Sequence, residues 1–166
     1  MLKAMDADLA YDRVIRYLTV RAHSRAELIK KLRQRGASTS VAAEAVDRAQ
    51  AQGYVNDAEY ARMYARLARD QKGLAPLRIR QELAKRGIES QLVEDALETE
   101  FSETDLAAQA CALASKRAAR LSGDTESRRR RLAAFLERRG YPTHVTRAAV
   151  DAVAPAGQPP YIGRAQ

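Results

Sequence analysis

The chain has no tryptophan, and aromatic residues make up only 5% of it although 46% of its residues are hydrophobic. Much of that apolar fraction is alanine. A core of Ala, Leu and Val suits close-packed helices, in which Ala and Leu are favoured, and is thin for one large globule. Eight glycines and five prolines are too few for the many turns of an all-β fold. The single cysteine, Cys111, excludes an intramolecular disulfide, and the chain is expected in the cytoplasm. Its longest uncharged apolar stretch, about Leu106 to Ser115 and interrupted by Gln109, falls far short of the roughly 20 residues of a membrane span. Met1 to Asp8 carries acids and no apolar run, so no secretory signal is expected. Two histidines, His23 and His144, cannot build a metal cluster with one cysteine. Neither a Walker A loop nor a G-x-G-x-x-G turn occurs. No active site and no cofactor are expected, and the protein is read as a binder, not an enzyme.

What the chain does have is positive charge. Its 166 residues carry a formal net charge of +8. That is the footprint of a protein that meets polyanions: nucleic acid, an acidic protein face or, least of all here, an anionic membrane.

The charge is organised by a repeat. The hydrophobic period is close to 3.6 through most of the chain. Aligning three glycines, Gly36, Gly87 and Gly140, superposes the segments SRAELIKKLRQRG, APLRIRQELAKRG and RRRRLAAFLERRG. Leu28, Ile79 and Leu132 stand eight residues before their glycine, and Leu32, Leu83 and Leu136 stand four before it. After it come Val41, Leu92 and Val145, then Ala45, Ala96 and Ala149, then Val46, Leu97 and Val150. Each glycine suits a helix C-cap, and the cations before it suit the negative end of the helix dipole. Ser24 with Glu27 forms a capping box, Pro76 fits a first helical turn, Asn56 with Glu59 caps a further helix, and Ser102 with Asp105 another.

The pattern predicts an all-α fold of three tandem three-helix repeats, an elongated, curved array over 1–53, 54–102 and 103–153. Residues 154–166 have no apolar period and are expected to form a disordered tail. The leading helices are expected at about Ala7–Ala22, Ala58–Gln71 and Thr104–Leu121. No heptad seam is sustained, so a monomer is expected.

Charge sits unevenly on these helices. Arg21–Gly36 carries +5, Ala75–Gly87 +3 and Thr125–Gly140 +4, whereas Val41–Gln52 carries −1 and Glu89–Glu100 carries −5. In a helix-turn-helix DNA reader the last helix enters the major groove with cations and amides. Here the last helix is neutral or acidic in every repeat, which excludes that mode. Exposed basic faces often serve solubility alone. Three equivalent middle helices with the same surplus point instead to phosphate or acidic-surface contact. The candidate contacts are Arg25, Lys30, Lys31, Arg33 and Arg35 in the first repeat. They are Arg78, Arg80, Lys85 and Arg86 in the second, and Arg128, Arg129, Arg131, Arg138 and Arg139 in the third. The run Arg128–Arg131 points around its helix, so at most two of the four share a face. Tyr54, Tyr60, Tyr64 and Tyr141 are able to stack on bases. The i, i+4 spacing of Tyr60 and Tyr64 reads more simply as core packing. Cys111 reads as a small core residue, and His23 and His144 as surface or capping groups.

These residues resemble the RecX family. The resemblance lies in His23-Ser24-Arg25-Ala26-Glu27-Leu28 with Leu32 and Gly36, and in Gly53-Tyr54-Val55-Asn56-Asp57 leading into Tyr60, Ala61 and Tyr64. It continues in Gly73, Ile79, Glu82-Leu83 and Gly87-Ile88, and in Arg131-Leu132, Leu136 and Arg139-Gly140-Tyr141. It covers residues 11–153; each motif is modest, and their order and spacing are specific. Ala37 departs from the bulky apolar residue frequent in the family, and Tyr141 from its Phe. The resemblance implies tandem three-helix repeats that bind the RecA–DNA filament, in its groove or at its growing end. It also implies inhibition of the ATPase, strand-exchange and co-protease activities of RecA. The expected partners are therefore the RecA filament and single- and double-stranded DNA without sequence preference. A DNA-binding protein that acts without RecA and a scaffold charged only for solubility are the alternatives.

Overall fold

A computed structural model describes residues 5–156, so most of the expected tail lies outside the described residues. Among the described residues there are nine helices and no strand. They are α1 (Ala7–Val20), α2 (Arg25–Gln34), α3 (Thr39–Ala51), α4 (Asp57–Lys72), α5 (Pro76–Lys85), α6 (Ser90–Phe101), α7 (Leu106–Ala118), α8 (Thr125–Arg138) and α9 (Thr143–Val153). In sequence they form three repeats of three, with α2, α5 and α8 as the basic middle helices.

Local chemistry sets most of the helix starts. The Ser24 capping box is complete: Ser24 Oγ accepts from Glu27 N at 3.1 Å and Ser24 N donates to the Glu27 carboxylate at 3.2 Å. Asn56 Oδ1 accepts from Glu59 N at 3.1 Å, and Pro76 opens α5. At α7 the expected start is corrected. The helix begins at Leu106, and Asp105 is itself the N-cap, accepting from Ala107 N and Ala108 N. A carboxylate there engages two free N–H groups and the positive helix end together.

The aligned register is the core. Leu28, Leu32, Ile79, Leu83, Leu132 and Leu136 are all at 0% exposure. Each such burial contributes about 1.5–3 kcal/mol. In the third helices Ala45, Val46, Ala96, Leu97, Ala149 and Val150 are buried, while Val41 and Leu92 are half-buried. α1 packs chiefly on α3, and α7 on α9.

All three basic helices end in the same Schellman turn. The residue after the glycine sends its N–H back five residues, from Ala37 to Leu32 O, Ile88 to Leu83 O and Tyr141 to Leu136 O. Those three residues are buried against their cores.

The chain divides into two compact units, Met1–Arg66 with Arg80–Thr99 and Leu67–Ile79 with Glu100–Gln166, so the middle repeat is shared between them. Each unit contains a joint between repeats. In the first, the fully buried Ser24 Oγ donates to Arg86 O at 2.6 Å, and Arg25 N donates to Asp57 Oδ1 at 2.8 Å. In the second, Ala75 N donates to Arg139 O at 2.9 Å. Ser24 and Ala75 are equivalent positions, and Arg86 and Arg139 each precede the turn glycine. At both joints the start of one basic helix therefore satisfies a carbonyl at the end of the next repeat's basic helix.

The joints leave no room at the glycines. A Cβ on Gly87 would collide with Ala26 Cβ, and one on Gly140 with the Arg78 backbone nitrogen, 2.7 Å from Arg78 Cβ. Gly36, at φ +91°, faces open space. Gly140→Ala is expected to destabilise the protein by about 3 kcal/mol, the sum of left-handed strain and overpacking. Gly36→Ala carries the strain alone, about 1 kcal/mol. Urea unfolding midpoints measure the difference; equal losses would contradict the joint as the reason for glycine at 140.

Candidate nucleic-acid interface

Several of the candidate cations are engaged inside the fold. Arg25 lies 2.6 Å from Asp47, and Arg129 binds Asp151 together with the Ala154 carbonyl. Both arginines stand eleven residues before their glycine and both aspartates eleven after it, so one interhelical ion pair recurs in two repeats. The middle repeat has Pro76 at that position. Its substitute is a fork between Arg80 and Glu94, with Nη2 to Oε2 at 2.7 Å, which raises the arginine pKa and lowers the glutamate's. Part of the acidic surplus on α6 thus offsets its own repeat's cations.

Arg86 stacks 4.5 Å from the Tyr64 ring centroid and donates to the Glu82 carbonyl and carboxylate. Burial opposes its charge, and Tyr64, Tyr60 and Glu82 outweigh the burial, holding it above the ordinary guanidinium value. Arg131 donates to the carbonyls of Ser122 and Ser127. Arg78 is half-buried at the joint. Arg128 is half-buried with its Nε enclosed.

Other candidates face solvent. Lys30, Arg33, Arg35, Lys85 and Arg138 are exposed and form no ion pair with a described residue. In the first unit, Lys30 and Lys31 of α2, Lys85 at the end of α5 and Arg86 just after it line an open groove of about 460 Å³ floored by Ala26 and Gly87. The groove exists because the joint brings the start of α2 to the end of α5. A second hollow, about 280 Å³, holds Arg13 and Arg16 of α1 with Arg35 of α2, beside Tyr17. The Lys31 ammonium sits 4.7 Å from the Tyr17 ring centroid.

In the second unit Arg139 lies 3.8 Å from the Phe135 ring centroid and Arg117 lies 5.7 Å from it. Burial, then the charges of Arg138 and Arg117, hold the Arg139 pKa below the ordinary value against the pull of Tyr141. Arg13, Arg16 and Arg117 escape a count of charge by middle helix. In α1, Asp8 and Asp12 cancel both arginines, and α7 is not a middle helix. The i, i+3 spacing of Arg13 and Arg16 is the signal that marks one face.

The remaining groups are structural. Contrary to its expected surface role, His23 is buried at 4% exposure, edge-on to Tyr17 and 3.4 Å from Glu27. Burial, then Arg21 and Lys31, lower its pKa, which keeps it neutral near pH 7. Glu27 is pushed up by burial but held below the ordinary carboxylate value by Ser24 N–H and Arg21. Burial pushes the Tyr141 phenol up to about 12, and its hydroxyl donates to Gly73 O at 3.2 Å. Tyr60 is buried and stacks on Tyr64, which fits packing; Tyr54 is exposed. Cys111 is half-buried against the third repeat's core. Among the described residues no group of three or more His, Cys, Asp or Glu is placed to hold a metal, and no helix is long and apolar enough to cross a membrane.

Comparison with known proteins matches three segments to one family. Residues 10–48 match "RecX, first three-helix domain", 56–97 the second such domain and 103–150 the third. The chain is 32% identical over 146 residues to a "Regulatory protein RecX" of Prosthecochloris aestuarii, covering 88% of this chain and 94% of the relative. It is 34% identical over 143 residues to one of Halorhodospira halophila, covering 85% and 86%. The crystal structure of RecX from Lactobacillus salivarius superposes with a TM-score of 0.74 at 21% identity, covering 89% of this chain and 96% of that one. A second, "Crystal structure of regulatory protein RecX", gives 0.77 at 25% identity, covering 87% and 73%.

The division into engaged and exposed cations is testable by stability. Arg86→Gln removes a stacked, half-buried guanidinium and is expected to cost about 1 kcal/mol. Arg33→Gln/Arg35→Gln is expected to change stability by less than about 0.5 kcal/mol. Equal losses in thermal unfolding would overturn the division.

Proposed function

Since the chain belongs to the RecX family, we propose that it is a regulator of recombination that binds the RecA–DNA filament. It inhibits RecA ATP hydrolysis, strand exchange and co-protease action without catalysing a reaction of its own. It acts as a monomer in the cytoplasm and needs no cofactor. Its partners are RecA and single- or double-stranded DNA, met without sequence preference.

The observation that supports this reading is the basic groove across the first joint. Lys30, Lys31 and Lys85 come from two repeats and gather over Gly87, where a polyanion outside the chain completes their pairing. Arg33, Arg35 and Arg138 extend the exposed basic surface. Such contacts are charge contacts, without a base-reading helix, and suit a partner recognised by its phosphates or acidic surface.

The test is ATP hydrolysis by RecA on single-stranded DNA, titrated with the protein. Turnover is expected to fall as the protein is added. Lys30→Glu/Lys85→Glu is expected to weaken that inhibition at least about tenfold while helicity by circular dichroism is unchanged. Undiminished inhibition by the folded variant would sink the groove assignment, and no inhibition by the unaltered protein would sink the function.

A further inference from the structure

We propose that Arg117 and Arg139, both beside the Phe135 ring of the third repeat, form with the neighbouring Arg138 a binding site for the phosphodiester backbone of nucleic acid. The site deepens the function above, on which it rests, by naming where the nucleic-acid part of the partner is held.

The cluster is built by two helices. Arg117 comes from α7, Arg139 is the C-cap residue of α8, and Arg138 is the last residue of that helix. Arg139 is fixed twice: its guanidinium lies 3.8 Å from the ring centroid, and its Nε donates to Lys72 O at 3.3 Å. Arg117 approaches the same ring at 5.7 Å. A guanidinium already held in one orientation loses less freedom when it binds.

Arg25, Arg80 and Arg129 meet acids, at Asp47, Glu94 and Asp151. Arg117, Arg138 and Arg139 make no ion pair with any described residue. The negative end of α8 attracts cations in its last turn. That accounts for Arg138 and Arg139 at the end of α8, and likewise for Arg117 in the last turn of α7, but not for the convergence of Arg117 and Arg139 on one ring from two helices. Partial burial of Arg139 and its repulsion by the other two both disfavour the charged form. An anion in the cluster relieves both costs.

The spacing of charge selects the anion. A nucleic-acid strand presents one phosphate about every 3.4 Å along its axis, and guanidinium forks match phosphate oxygens two by two. A protein surface with carboxylates at that density repels itself. Three close arginines without an acid therefore fit a phosphodiester backbone better than an acidic protein face.

The experiment is fluorescence anisotropy with labelled oligothymidylate and with a duplex of equal length, over a series of salt concentrations. Arg117→Gln/Arg138→Gln leaves Arg139 and the joint untouched. It is expected to weaken oligothymidylate binding at least about tenfold near 0.1 M salt and to reduce the log–log salt slope by roughly 1.4. A loss confined to the duplex, with a slope change of roughly 1.8, also supports the site and assigns it to double-stranded backbone. Arg62→Gln/Arg66→Gln removes the same charge from α4 and is expected to shift affinity less than about threefold. Arg117→Lys/Arg138→Lys checks folding and is expected to keep most of the affinity. Unchanged affinity and slope in the glutamine variant would overturn the site, as would equal losses in the α4 variant. Those outcomes leave RecA inhibition by the unaltered protein standing. Failure of that inhibition with the oligonucleotide result as expected overturns the filament reading alone.

Discussion

An α-helix ends in carbonyls that its own N–H groups cannot reach, and it begins with N–H groups that lack acceptors. This chain uses one solution to that constraint twice. Arg86 O, at the end of one basic helix, receives the Ser24 hydroxyl, and Arg139 O, at the equivalent place a repeat later, receives the Ala75 N–H. The helix dipoles are also satisfied, since a positive start faces a negative end. Ser24 does two things at once, donating across the joint while accepting from Glu27 N within its own capping box. The close approach is what requires glycine at 87 and 140. A repeat of about 50 residues buries little surface alone, so these joints matter to stability as well as to geometry.

The basic groove inherits its form from the same contact. Lys30 and Lys31 belong to one repeat and Lys85 to the next, and they share a groove only because the joint sets Ala26 against Gly87. Arginine and lysine divide the labour along chemical lines. Arg25, Arg80 and Arg129 use planar forks to tie basic helices to third helices. Lys30 and Lys85 stay in water, where a flexible ammonium suits an external anion. Net charge on a segment therefore overstates what that segment offers a ligand: Ala75–Gly87 carries +3, yet Arg80 and Arg86 are held by Glu94 and Glu82.

The fold was largely legible in the sequence because its signals are local. A 3.6 period, a glycine at a fixed place after each basic helix and caps such as Ser24 and Asn56 before helix starts define the helices. The six core positions counted back from the glycines are all at 0% exposure. The candidate site was legible only as a composition. Ser24 bonds to Arg86 across 62 positions, and Arg25 pairs with Asp47 across 22. Nothing in the periodicity of one helix reports such partners. His23 shows the same limit: its place before a cap suggests a surface group, but it is buried, edge-on to Tyr17 and beside Glu27. Asp105 was assigned three positions too deep, as the partner of a Ser102 cap, whereas it is itself the N-cap; serine and aspartate are both good caps, and their competition is decided by which one gathers more N–H groups. Arg117 was overlooked because its neighbours, the Phe135 ring and the two arginines at the end of α8, lie on another helix.

The central claim is that this basic, jointed chain recognises a nucleoprotein filament and not nucleic acid alone. Electrostatic contact with bare DNA weakens steeply as salt rises. The most direct measurement is co-sedimentation with preassembled RecA filaments on single-stranded DNA, at a salt concentration where binding to the same DNA without RecA has vanished. The account predicts that the protein still pellets with the filament. Loss of both interactions at the same salt would contradict it and would leave a DNA-binding protein that acts without RecA.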